Sequence, residues 1–261
     1  MITICVANHK GGVAKTTTAG ALCSQFARDG YSVLAIDMDP QADLSDILGV
    51  TEKQRETQNM YSVLSKGMDI NDIIVNVGSF DIAPSDIDMS LCENEANDIA
   101  ANFRLKEILA DNRIQSKYDI VVIDTPPSLG VITIRSLTAA DYVLVPTDTS
   151  ISSAKGIIHL MDTIRSVKKY FNHGLSVAGV LLIRVETKTN VAKDITESTK
   201  YVCDTMGIKM FNTVIRKSTK IPESHTVNAD LWDYSPNSPG AMDYANMFKE
   251  LKEVLNNGKE Q

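Results

Sequence analysis

Residues 8–18 read Asn-His-Lys-Gly-Gly-Val-Ala-Lys-Thr-Thr-Thr and follow directly on the apolar run 2–7. A strand that feeds a glycine-bearing turn, which in turn opens a helix, gathers backbone N–H groups and a helix N-terminus around a concave site for phosphate oxygens. Gly11, Gly12, Val13 and Ala14 supply the backbone of that cradle. Lys15 adds a full positive charge, and Thr16, followed by Thr17, offers a hydroxyl able to ligate Mg²⁺. The chemistry implied is the binding of a nucleoside triphosphate with magnesium. Lys10 is an additional cation five residues before Lys15. It is badly placed for its own phosphates, which Lys15 already serves, and is predicted to reach across an interface to the phosphates of a second copy. A nucleotide-dependent homodimer is therefore expected.

Phosphoryl transfer to water needs a metal to neutralise charge on the β and γ oxygens and a group that holds the attacking water in line. Asp124 ends the apolar run 120–123, as expected of a Walker B aspartate that holds Mg²⁺ through its water shell. Asp37 and Asp39 stand just past another apolar run, 33–36, in the string Asp-Met-Asp-Pro-Gln. Asp37 has the position of a turn or cap residue.

These groups need a scaffold that brings strand ends together. Residues 32–36, 80–83, 118–123, 142–145 and 177–183 are apolar runs rich in Val, Ile and Leu, as in strands buried on both faces. Between them, residues 16–28, 99–112, 153–171, 191–206 and 241–255 carry apolar side chains at three-to-four spacing. The alternation predicts an α/β fold: a mainly parallel, doubly wound sheet with helices on both faces, as one domain over residues 1–261. In such sheets ligands sit beyond the carboxyl ends of the strands, where the phosphate loop, Asp37–Gln41 and Asp124 all fall.

Composition narrows the classes. The four cysteines, Cys5, Cys23, Cys92 and Cys203, lie far apart with no Cys-x-x-Cys pair, as small apolar residues of a reducing compartment do. No metal cluster is expected. The longest apolar run, 177–183, is too short to span a bilayer, and a cytoplasmic protein is expected. The net charge is −7, yet residues 155–220 hold twelve Lys and Arg against five Asp and Glu, which leaves −14 elsewhere. Such a local basic stretch permits contact with nucleic-acid phosphates despite the overall sign.

The loop, with Lys10-Gly11-Gly12 leading to Lys15-Thr16-Thr17, resembles the deviant Walker A motif of the ParA/MinD family of P-loop ATPases. Asp39-Pro40-Gln41 with Asp43-Leu44, residues 59–64, Phe80-Asp81-Ile82-Ala83-Pro84-Ser85 and Leu231-Trp232-Asp233-Tyr234 with Ser238-Pro239-Gly240-Ala241 extend the likeness over nearly the whole chain, nearer the ParA branch than the MinD branch. Ala14 departs from the family's glycine. A methyl group there is tolerated if the residue has negative φ at the helix start, and conflicts with a mirror-image conformation.

The resemblance implies an ATPase with ATP and Mg²⁺ as ligands. Thr16, Asp39 and Asp124 would serve the metal region, Asp39 would position the attacking water, and Lys10 and Lys15 would act on the phosphates. It also implies nonspecific DNA binding through basic residues of two late segments, matched by Lys188 and by Arg216, Lys217 and Lys220, with lysine where the family pattern has arginine at positions 188 and 220. A ParB-like centromere-binding protein would stimulate hydrolysis, and the protein would reside on the nucleoid. The first strand begins at Ile2, so the N-terminal helix-turn-helix of larger plasmid relatives is expected to be missing. The family's Ile-Pro-Arg-Asn run near the adenine is Ile215-Arg216-Lys217-Ser218 here. Two other readings keep the chemistry: a MinD-like membrane-cycling ATPase, which would need its C-terminal apolar stripe (Met247, Phe248, Leu251, Val254, Leu255) free for a bilayer, and a ParA-like positioner of a protein cargo.

Overall fold

The sheet is built from strands β1 (Ile2–Val6), β2 (Val33–Asp37), β3 (Val75–Asn76), β4 (Asp81–Ala83), β5 (Ile120–Asp124), β6 (Tyr142–Asp148), β7 (Ser176–Val185) and β8 (Ile215–Arg216). They stand in the order β3-β4-β2-β5-β1-β6-β7-β8 in a computed structural model that describes residues 1–95, 98–150, 153–186 and 190–258. Every pairing is parallel except β3 with β4 at one edge. The central strands β2 and β5 are buried along their whole length, because side chains of alternate residues enter cores on opposite faces. Ile4 and Val6 face one core with Leu22, Phe26 and Phe248, whereas Cys5 and Ala7 face another with Val143, Leu160 and Ile164.

Helix Lys15–Arg28 crosses from β1 to β2, and the long helices Ser153–Tyr170 and Asn190–Met206 flank β7 in sequence. A short helix, Met60–Lys66, is capped by the Asn59 side chain, which accepts from Ser62 N, and stops at Gly67 in the left-handed conformation (φ 73°).

Two details differ from the sequence reading. The single helix expected over residues 99–112 is broken into a 3₁₀ turn, Ala100–Phe103, a helical piece, Arg104–Leu109, and a separate helix, Asn112–Lys117. Asp111 is extended and its side chain accepts from Arg113 N, which starts a new helix where the periodicity runs on unbroken. Strands β3 and β8 have two residues each, too few to show a pattern. The C-terminal helix Pro239–Asn257 docks its apolar stripe onto the domain's own core, the outcome its mixed charges favour over a bilayer. Met247, Phe248, Leu251 and Leu255 are buried in the main core, and the Phe248 ring meets the edge of Phe26 at 4.7 Å between centroids. That stripe is not free for a bilayer, and among the described residues no helix is long and apolar enough to cross a membrane.

Candidate nucleotide site

Parallel register sets three strand ends side by side. Val6 pairs with Asp124, and Asp124 with Asp37. The chain leaving β1 is pinned to its neighbours by side chains. Asn8 donates to Pro146 O (2.7 Å) and accepts from Lys10 N (3.0 Å), and Thr125 Oγ1 donates to Val6 O (2.9 Å). The loop then turns through two left-handed residues, Gly12 (φ 71°) and Ala14 (φ 52°), before the helix begins at Lys15.

Ala14 therefore adopts the mirror-image conformation, the case in which an alanine is strained and a glycine is not. It also lacks a capping side chain, so no side chain claims the first N–H groups of this fourteen-residue helix, which face the loop. Ala14→Gly is expected to stabilise the nucleotide-free protein by about 1 kcal/mol, since an alanine at positive φ costs more than the chain entropy it removes. A thermal midpoint that fails to rise would show that the surrounding loop already accommodates the methyl group.

One cation faces several carboxylates here. Lys15 is 6% exposed, and burial lowers its pKa while Asp124, Asp39 and Asp43 act to raise it. Asp124 is fully buried, and burial, reinforced by the charge of Asp37, pushes its carboxyl well above the ordinary range. Burial likewise pushes Asp37 up to about 7, against hydrogen bonds from Ser45 Oγ (2.7 Å), Ser45 N (2.9 Å) and Asp39 N (3.1 Å). Those three bonds make Asp37 the organiser of the turn after β2. Asp39, one turn further, accepts from Gln41 N at 3.0 Å.

Whether these residues suit magnesium is decided by Asp124. Both of its oxygens are buried without a hydrogen-bond partner among the described residues, although the Thr16 hydroxyl is close enough to moderate its pKa. An orphaned buried carboxylate beside a hydroxyl, at the floor of a phosphate cradle, is suited to a cation or its water shell. Among the described residues no group of three or more His, Cys, Asp or Glu is poised to hold a metal by itself. This fits an ion whose remaining ligands are phosphate oxygens and water. A polyphosphate placed against Asp39, Asp43 and Asp124 also requires more positive charge than Lys15 alone provides.

Above this floor opens a cavity of about 590 Å³, the size of a small-molecule site. Gly11, Gly12, Ala14, Lys15, Thr16, Thr17 and Asp39 line it, as do Arg216 and Lys217. Val13 is buried and is not part of the lining. Lys10 is not part of the lining. Its ammonium donates to both oxygens of Asp148 (2.8 and 2.7 Å) and to Ser150 Oγ (2.6 Å).

The basic residues considered for DNA are already engaged. Arg216 Nε and Nη2 donate to Asp243 (2.9 and 2.8 Å), Lys217 to Glu186 (2.8 Å) and Lys220 to Glu223 (2.7 Å). Lys188 lies outside the described residues. Two polar residues that the sequence reading passed over, Asp148 and Arg184, stand at this site. Asp148 ends β6 and Arg184 follows an apolar run near the end of β7, the strand-end position that located Asp124.

A family model for an AAA domain matches residues 1–177. The sporulation initiation inhibitor protein Soj of Bacillus subtilis is 35% identical over 252 residues, covering 95% of this chain and 97% of Soj. The chain belongs to the ParA/Soj family of P-loop ATPases. Another member, the chromosome partitioning protein ParA of Caulobacter vibrioides, is 33% identical over 251 residues, 95% of this chain and 92% of that protein. Among solved structures, cobyrinic acid a,c-diamide synthase of Mycobacterium smegmatis, crystallised with an ATP analogue and magnesium, superposes with a TM-score of 0.84 at 27% identity, covering 99% of this chain and 97% of that one. Membership in the ParA/Soj family makes the chain an ATPase.

Proposed function

We propose that this ParA/Soj-family ATPase partitions DNA. ATP with Mg²⁺ occupies the cavity, and two copies close face to face over their nucleotides. The dimer binds duplex DNA without sequence preference, and a ParB-like centromere-binding protein triggers the hydrolysis that releases it. The protein works in the cytoplasm, on the nucleoid. The observation that carries this reading is the buried, unpartnered Asp124 carboxylate beside Lys15 and Thr16 at the head of the phosphate loop. Thr16, Asp124 and the Asp39 region would hold magnesium, which would neutralise charge on the phosphates. Lys15 holds the phosphates, the helix N-terminus offers N–H groups to their oxygens, and Asp39 orients the attacking water.

Contact with DNA phosphates is assigned to Lys188, Arg216, Lys217 and Lys220. For the last three it means exchanging Asp243, Glu186 and Glu223 for phosphate, so this surface binds only when the gain outweighs those pairs. The test is retention on plain duplex with and without ATP at two salt concentrations. About four phosphate contacts predict a loss of roughly 10²-fold between 50 and 200 mM salt. Failure to hold duplex at low salt with ATP present overturns the DNA-binding reading.

Asp39→Ala is expected to lower turnover by about 10²- to 10³-fold while ATP binding persists, leaving the ATP-bound dimer on DNA. Phosphate release from wild type and variant, measured with the partner and DNA present, checks this. Undiminished turnover would move the water-positioning role to another residue.

A further inference from the structure

The cavity carries a cation that the loop motif does not account for. Arg184, near the end of β7, lines the site together with Gly12, Lys15 and Thr16. A β-carbon built on Gly12 would lie 4.0 Å from Arg184 Nη2, so the guanidinium stands directly over the phosphate loop. The backbone that places it there is left-handed, with φ 54°, a strained conformation that an arginine rarely adopts.

The other cations at the rim are committed. Arg216 is held by two hydrogen bonds to Asp243, and Lys217 by one to Glu186. Arg184 forms a long ion pair with Asp148 Oδ2 at 3.8 Å, too far for a hydrogen bond. That carboxylate already accepts from Lys10 and from Ser153 Oγ (2.5 Å). A half-exposed guanidinium is thus held over an anion cradle, on strained backbone, with a long ion pair to Asp148 and no hydrogen bond of its donor fork among the described residues.

The two sides of the cavity differ. Ile215, Ile221 and Pro222 bring apolar surface suited to a base, and Gly12, Lys15 and Asp39 bring the polar wall. Arg184 adds a second cation to this polar lining and sits beside Asp148, the partner of Lys10. We propose that Arg184 is a further phosphate ligand, donating from the same chain to the γ-phosphate of its own nucleotide and so distinguishing the triphosphate from the diphosphate. This rests on the cavity being a nucleoside triphosphate site. It supplies in cis a charge at the end of the polyphosphate where hydrolysis takes place.

The experiment compares equilibrium binding of a nonhydrolysable ATP analogue and of ADP, each with Mg²⁺, to wild type, Arg184→Ala and Arg184→Gly, at protein concentrations where sedimentation shows monomers. Loss of a charge-assisted contact to the terminal phosphate predicts about 10- to 100-fold weaker analogue binding, with ADP affinity changed by less than about threefold. Arg184→Gly removes the guanidinium while relaxing the left-handed backbone. It should match Arg184→Ala in binding with a thermal midpoint no lower than that of wild type. Equal weakening of both ligands, or of neither, overturns the assignment. If wild type binds neither ligand, the underlying nucleotide reading fails instead.

Discussion

Lys15→Met abolishes nucleotide binding and leaves the empty fold close to its original stability. Both halves of this expected result come from the same burial. The ammonium is 6% exposed, and its surroundings hold three carboxylates but, among the described residues, no second buried cation. When a triphosphate arrives, that ammonium is the only full charge at the floor of the cradle able to meet its oxygens. Removing two or three charge-assisted hydrogen bonds at about 1.5–3 kcal/mol each predicts an affinity loss on the order of 10³-fold or more. In the empty protein the balance is different. Burial works against the charged lysine, while Asp124, Asp39 and Asp43 favour it. Methionine fills a similar volume, removes the first term and forfeits the second, so the midpoints of the empty proteins should agree within about 1 kcal/mol. A saturating ligand at a hundred times its dissociation constant stabilises the wild type by about 2.7 kcal/mol, and this increment should vanish in the variant. Thermal unfolding with and without ATP and Mg²⁺ reads both quantities. A variant that keeps the ligand-induced shift would remove Lys15 from the phosphate site.

The residues of that site were legible because their chemistry and their strand-end positions coincide. Asp124 lies immediately beyond an apolar run, Lys15 and Thr16 close the glycine-bearing turn that follows another, and parallel register places Val6, Asp124 and Asp37 next to one another. The conformation of Ala14 was not legible. Whether a helix starts from negative or positive φ depends on how the loop is pinned, here by Asn8 to β6, a strand some 138 residues away in the chain. Asp37, read from its position as a turn residue, is the fully buried turn-former, while Asp39 lines the cavity. The helix over residues 99–112 failed for a local reason. Its apolar spacing continues past Asp111, but a side chain that caps a new helix outweighs periodicity. Arg184 and Asp148 went unread because a charged residue after a strand is common, and what marks these two is their meeting with the loop from β1.

Lys10→Ala should leave nucleotide affinity within about threefold of wild type yet remove the ATP-dependent dimer. Within one chain the Lys10 ammonium lies away from the cavity, tied to Asp148 and Ser150, so its loss deprives the chain's own phosphates of nothing. Burial disfavours charge on Asp148, but hydrogen bonds from Lys10, Ser153 and Ser150 outweigh it and hold the carboxyl below its ordinary pKa. The pair is therefore formed at neutral pH. For Lys10 to serve the phosphates of a second copy, it must leave this partner, which costs about 1–3 kcal/mol that the dimer interface has to return. Asp148→Asn keeps the shape and removes the competing charge. It should strengthen dimerisation by about tenfold, while Lys10→Ala weakens it beyond detection and the double variant behaves like Lys10→Ala. Sedimentation with a nonhydrolysable analogue distinguishes the outcomes. An unchanged dimer in Lys10→Ala would confine that lysine to its intrachain pair with Asp148, and closure over two nucleotides would then depend on other contacts.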